Sequence, residues 1–181
     1  MSRQGGLGDG TPCPRRARLG DNFSGRERRF LLRELPRGFD IRGDHAQITD
    51  NYITGTRLRL RKLRRVSTNE WTLKLTQKHA PAPPDFSRTL ITSIYLNEYE
   101  YETLSVFEAN ELRKNRYPYE HEGRRYSVDV FLGPLRGLIL AETDFDTDEE
   151  MDAFRLPPFA FQSRSSLRPV VPLPQRAGAG R

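Results

Sequence analysis

Five consecutive residues, Arg57, Leu58, Arg59, Leu60 and Arg61, alternate strictly between charged and apolar. A β-strand sends successive side chains to opposite faces. This stretch therefore puts three guanidinium groups on one face and two leucines on the other. In a half-buried strand the polar face looks at water, and taken alone the stretch favours that reading. Three arginines abreast repel one another, however. A multiply charged anion lying across the strand would relieve the repulsion, because the guanidinium fork suits phosphate oxygens.

The same alternation recurs along the chain. Arg26 to Leu32 places Glu27, Arg29 and Leu31 opposite Arg28, Phe30 and Leu32. Leu35, Pro36 and Gly38 break that strand, and a second runs from Ala46 to Ile53. The arginine strand extends from Thr56 to Arg65, and Ser67 to Glu70 supply a turn. From Trp71 to Lys78, residues Thr72, Lys74, Thr76 and Lys78 share a face opposite Trp71, Leu73 and Leu75. Three prolines between 80 and 85 make a loop before a β-rich stretch from Arg88 to Leu96. Asn97 with Glu100 forms a capping pair for a helix reaching Phe107. A strand near Leu112 to Tyr119 aligns Lys114 with Arg116. Glu122-Gly123 is a hairpin turn. Tyr126 to Leu132 sets Asp129 opposite Val128 and Val130, and Leu138 to Phe145 aligns Glu142 with Asp144. Thr147 and Glu150 mark a last short helix through Phe154.

About eight strands and two short helices predict an α+β, mostly β, fold. Charged faces as regular as the apolar ones point to an eight-stranded antiparallel barrel, a tunnel with a packed outer wall and a charged lumen. The chain has 181 residues, enough for one domain with a core. The net charge of +6 resides in the two ends. Residues 1–22 read as a disordered basic tail and 163–181 as a disordered Pro/Arg tail, flanking a neutral globular part at 23–162. The high isoelectric point therefore describes tails, and nucleic acid is not an expected partner. Cys13 is the single cysteine, so neither an internal disulfide nor a thiolate metal site is expected. No apolar run is long enough for a membrane span and no secretory h-region is present, so a cytoplasmic protein is expected. His45, His79 and His121 fall near turns and read as solvent-exposed. Trp71 and Phe30 read as outer-wall packing.

The inward residues then form two sets. Arg29, Arg57, Arg59, Arg61, Lys74, Lys78, Lys114 and Arg116, with Arg88 as a further candidate, suit polyphosphate oxygens. Glu27, Asp129, Glu142 and Asp144 suit a hard cation such as Mg²⁺ or Mn²⁺, which takes oxygen ligands and bridges phosphates. Together they describe a site for a triphosphate held with metal. Structural ion pairs among the same residues would leave them equally close, so proximity alone does not separate the two readings.

Six segments in this order resemble the CYTH domain of the triphosphate tunnel metalloenzymes: 27–32, 56–61, 72–74, 113–117, 128–131 and 137–145. The resemblance covers residues 25 to 161. It implies an eight-stranded tunnel and hydrolysis of inorganic triphosphate, thiamine triphosphate or RNA 5′-triphosphates, or ATP cyclisation, with Mg²⁺ or Mn²⁺. It makes Glu27 and Arg29 the candidate catalytic pair, the basic set phosphate ligands, and Asp129, Glu142 and Asp144 metal ligands. The family's opening Glu-x-Glu-x-Lys reads Gly25-Arg26-Glu27-Arg28-Arg29 here, and arginine cannot serve as a base. An Arg-x-Glu-x-Glu element reads Arg88 with Leu90 and Thr92, and the closing Glu-x-Glu reads Glu142-Thr143-Asp144. The remaining carboxylates suffice for one cation rather than two. The expected function is metal-dependent hydrolysis of a triphosphate-containing small molecule. The alternatives are a non-catalytic phosphate-ligand module and a nucleotidyl cyclase, the latter needing a base pocket that no motif supplies.

Overall fold

The computed structural model describes residues 22–79 and 88–161. The two tails with Cys13 and the proline loop lie outside the described residues, as do the side chains of Lys78, His79 and Arg88. Eight strands run in chain order: β1 (Asn22–Leu32), β2 (Ala46–Ile53), β3 (Leu58–Arg65), β4 (Trp71–His79), β5 (Arg88–Tyr95), β6 (Ala109–His121), β7 (Arg124–Phe131) and β8 (Ile139–Phe145). Two helices, α1 (Glu98–Ser105) and α2 (Asp148–Ala153), flank them. The sheet closes in the order β1-β5-β4-β3-β2-β6-β7-β8, with β8 pairing back onto β1 and every pair antiparallel. This is the expected mostly-β barrel. No helix among the described residues is long and apolar enough to cross a membrane.

Local chemistry sets the joints. The Asn97 side chain accepts from the Glu100 N–H while the Glu100 carboxylate accepts from the Asn97 N–H, a reciprocal cap that starts α1. Thr147 caps α2 through the Glu150 N–H, but the Glu150 carboxylate turns back to Asp146 N–H instead. The β6–β7 turn holds Glu122 at φ 51° and Gly123 at φ 74°, both in the left-handed region. Positive φ at both positions is what a two-residue hairpin turn compatible with strand twist requires. Strand β3 starts at Leu58, later than the alternation predicts. Thr56 Oγ1 donates to the Ile53 carbonyl and accepts from Leu58 N–H, so Arg57 belongs to a turn and is exposed.

The principal apolar core lies outside the barrel wall. Val128 and Ala141 are fully buried, with Phe30, Leu32 and Tyr126 beside them. The Phe30 ring meets Tyr126, Phe154 and Phe159 at centroid distances of 6.1, 6.3 and 6.2 Å. Segment 154–161 and α2 thus cover the outer faces of β1, β7 and β8. Phe30 is an outer-wall packing residue, as expected. Trp71 is not packed: it is 54% exposed, with Lys62 Nζ 4.6 Å from its ring centroid. His45 and His121 are half-buried rather than solvent-exposed. His45 stacks on Tyr117 at 4.7 Å and His121 meets Phe159 edge-on at 5.1 Å. Phe107 lies past the end of α1 and is 55% exposed.

Replacing Phe30 by alanine removes the ring that these three aromatics share. A loss of about 3–5 kcal/mol in unfolding free energy is expected, measured by chemical denaturation. An unchanged midpoint would mean that this cluster does not carry the fold.

Candidate functional site: the charged lumen

Register decides which side chains meet inside. Asp50 pairs with Arg61, Arg61 with Lys74 and Lys74 with Tyr95, so these four share one face across β2, β3, β4 and β5. Arg59 pairs with Thr76 and Thr76 with Ser93 on the same face, where the two hydroxyls are 3.0 Å apart. Around the other half, Arg116 pairs with Asp129, Arg29 with Glu142 and Glu27 with Asp144. Lys78 occupies a position of the same parity as Lys74 and Thr76, paired with Ile91.

Two ion-pair systems result. Asp50, 1% exposed, accepts from Arg61 Nε and Nη2 at 2.6 Å each, and its Oδ1 lies 3.6 Å from Arg59 Nε. Burial opposes ionisation of Asp50, but the Arg61 fork and the charges of Arg59, Arg61 and Lys114 hold its carboxyl below the usual range. The second system is a ladder. Asp129, fully buried, takes Lys114 Nζ on Oδ2 and the Arg116 fork on both oxygens at 2.7 Å. Arg116 Nη2 also reaches Glu142 Oε2 at 2.5 Å. Arg29 Nε lies 2.8 Å from Glu142 Oε1, and Arg29 Nη2 donates to Glu27. Burial works against the Arg29 and Arg116 cations, yet their acidic partners raise both pKa values overall.

Three groups do not share in this compensation. The buried Arg59 Nε makes no hydrogen bond, and burial together with Arg61 lowers the pKa of that guanidinium, although Asp50 and Tyr52 oppose the shift in part. Lys74 makes no ion pair among the described residues. Burial first, then Arg61 and Arg59, lower its pKa to about 8. Asp144 likewise has no ion-pair partner there, and burial with the nearby charges of Glu27 and Glu142 pushes its carboxyl up. The lumen thus holds incompletely compensated cations at Arg59 and Lys74, beside the Asp50–Arg61 pair, and an incompletely compensated carboxylate at Asp144, beside Glu27 and Glu142, which Arg29 and Arg116 pair. No three His, Cys, Asp or Glu side chains among the described residues are grouped as a ready metal-ligand set.

Sequence parity brought most of these residues to one face. It missed Asp50, whose only signal was a lone acid among Ala46, Ile48 and Tyr52 on one strand face. It also missed the Thr76–Ser93 pair. The β5 assignment needs correction: Arg88 pairs with Arg26, on the face whose Arg26 side chain bonds Asp148 of α2 outside the barrel. Leu90 and Thr92 share that parity, opposite Ser93. Their lack of carboxylates therefore removes nothing from the lumen. Arg113 and Arg125 are exposed.

A closed eight-stranded antiparallel barrel with basic and acidic sectors facing a common lumen defines a tunnel-type protein. Among solved structures, the inorganic triphosphatase NE1496 matches with 24% identity over 77% of this chain and 85% of its own, at a TM-score of 0.50. The PH1819 protein from Pyrococcus horikoshii matches with 18% identity over 70% of this chain and 82% of its own, at a TM-score of 0.49. The chain has the CYTH-like fold. No protein-family model and no curated protein matches the sequence.

Asp50→Ala leaves the buried Arg61 without its counter-charge. A destabilisation of about 3–5 kcal/mol is expected, read by urea unfolding. A neutral result would show that water or other partners can replace Asp50.

Proposed function

We propose that the lumen binds the triphosphate of a small molecule and hydrolyses a phosphoanhydride bond with one Mg²⁺ or Mn²⁺ ion. The observation that carries this reading is the basic corner. The buried Arg59 Nε has no hydrogen bond, only the Asp50 carboxylate at 3.6 Å, and it stands beside Arg61 and Lys74, the latter without an ion pair among the described residues. Buried polar groups find partners, and phosphate oxygens supply several at once. Lys78 extends this wall by register, while Arg57, an expected phosphate ligand, lies exposed in the turn before β3. Lys114 and Arg116 border it from β6.

The acidic corner fits a cation in its chemistry. Burial and the charges of Glu27 and Glu142 raise the proton affinity of Asp144, and a positive ion held by these three carboxylates would relieve that repulsion. Such an ion supplies neutralisation of the charge that develops on the transferred phosphoryl group. Asp129, with both oxygens on Lys114 and Arg116, serves to position those cations. Arg29 keeps its proton and acts as a phosphate ligand rather than a base, while Glu27 beside it joins the cation site. The reading carries with it a cytoplasmic location and a small-molecule partner, not nucleic acid or membrane. A second reading, binding without turnover, is favoured by one contact pair: Arg29 and Arg116 both hold Glu142.

Phosphate release from tripolyphosphate and from ATP, with each metal, tests the first reading. Turnover that requires metal and vanishes in Glu142→Gln/Asp144→Asn supports it. Calorimetric binding without turnover supports the second. Arg59→Ala is expected to weaken tripolyphosphate binding at least about tenfold, in line with the roughly 1.5–3 kcal/mol of a hydrogen bond to a charged group. Unaltered affinity would overturn both readings.

Protonation gives an independent check. Lys74 is charged below pH 8 and neutral above it. A phosphate beside it favours the charged form, so binding at pH 8.5 should take up protons, and affinity should fall as pH rises through about 8. Calorimetry in two buffers of different ionisation enthalpy measures the uptake, which Lys74→Met should abolish.

A further inference from the structure

We infer that Tyr95 is a specificity residue, a stacking platform for a planar aromatic group carried by the triphosphate. This rests on the proposed function and names the substrate class: an aromatic organic triphosphate, preferred over bare tripolyphosphate.

The inference starts from one row of the barrel. Asp50, Arg61, Lys74 and Tyr95 are successive cross-strand partners on the lumen face. Exposure rises along that row. Asp50 is 1% exposed, Arg61 8%, Lys74 is half-buried, and Tyr95 is 55% exposed. The row thus runs from an enclosed carboxylate to an open phenol, with the basic corner between them. Directly opposed residues of an antiparallel pair hold their Cβ atoms about 5 Å apart. Tyr95 therefore springs from the barrel wall directly beside Lys74. A triphosphate seated on Arg59, Arg61 and Lys74 places its ester-linked group beside Tyr95.

The ring is also idle. Among the described residues Tyr95 makes no ring–ring, cation–π or side-chain hydrogen-bond contact. Trp71 shows the contrast: it is equally exposed, but Lys62 and Arg64 lie over its ring on the outer wall. The neighbouring lumen row ends in the Thr76–Ser93 hydroxyl pair, so Tyr95 supplies the flat apolar surface on this side of the basic corner. Stacking of a nucleobase on an aromatic side chain contributes about 1–3 kcal/mol. That range corresponds to a change of about fivefold or more in affinity.

The test is equilibrium binding of the full chain to the imido analogues of ATP and of tripolyphosphate, which resist hydrolysis. In Tyr95→Ala the affinity ratio of the ATP analogue to the tripolyphosphate analogue should fall about fivefold or more. In Tyr95→Phe, which keeps the ring, the ratio should stay at the wild-type value. A ratio unchanged by Tyr95→Ala would overturn the inference and leave the proposed function standing. So would wild-type binding of the tripolyphosphate analogue without the ATP analogue. Failure of both analogues to bind wild-type protein would overturn the proposed function and this inference with it.

Discussion

An enclosed charge needs a partner of opposite sign, and the interior of this barrel is arranged around that need. Removing an ion from water costs several kcal/mol even after relaxation. Asp50 meets the requirement for Arg61 and in part for Arg59. Asp129 meets it for Lys114 and Arg116, and Glu142 for Arg116 and Arg29. Where the acids run short, Lys74 has no ion pair among the described residues and the Arg59 Nε has no hydrogen bond. Where the bases run out, Asp144 is left without an ion pair among the described residues, and its carboxyl is pushed up. The proposed ligand chemistry rests on these two imbalances rather than on the number of charges present.

The apolar work is done elsewhere. Phe30, Tyr126, Val128 and Ala141 alternate with lumen residues on β1, β7 and β8, and their packing against Phe154 and Phe159 lies on the outside of the wall. A single strand thus serves both purposes. Phe30 packs outward between Arg29 and Leu31, which occupy lumen positions. Adjacent residues belong to different energetic systems because the side-chain period of a strand is two.

That period explains what could be read from sequence. The faces of Arg59 with Arg61, Lys114 with Arg116, and Glu142 with Asp144 follow from spacing alone. Asp50 did not, because one acid on an apolar face says nothing until its strand is set beside the arginine strand. Arg57 continued the pattern in sequence but was lost to a turn built by the Thr56 hydroxyl. The β5 face was misread because a one-residue slip inverts every side chain, and the proline loop before it hides the register. His45 and His121 looked exposed because the rings they meet, Tyr117 and Phe159, are distant in sequence from one or both. The resemblance gave the fold as a whole, and the barrel conforms to it.

Closure of the sheet has a topological result. All eight strands have two hydrogen-bonded neighbours, so the wall has no free edge and no seam. Opening a passage between strands would sacrifice a whole backbone ladder. Molecules therefore enter and leave along the barrel axis, through its ends. Whatever reaches the lumen must first present itself at one of those two openings.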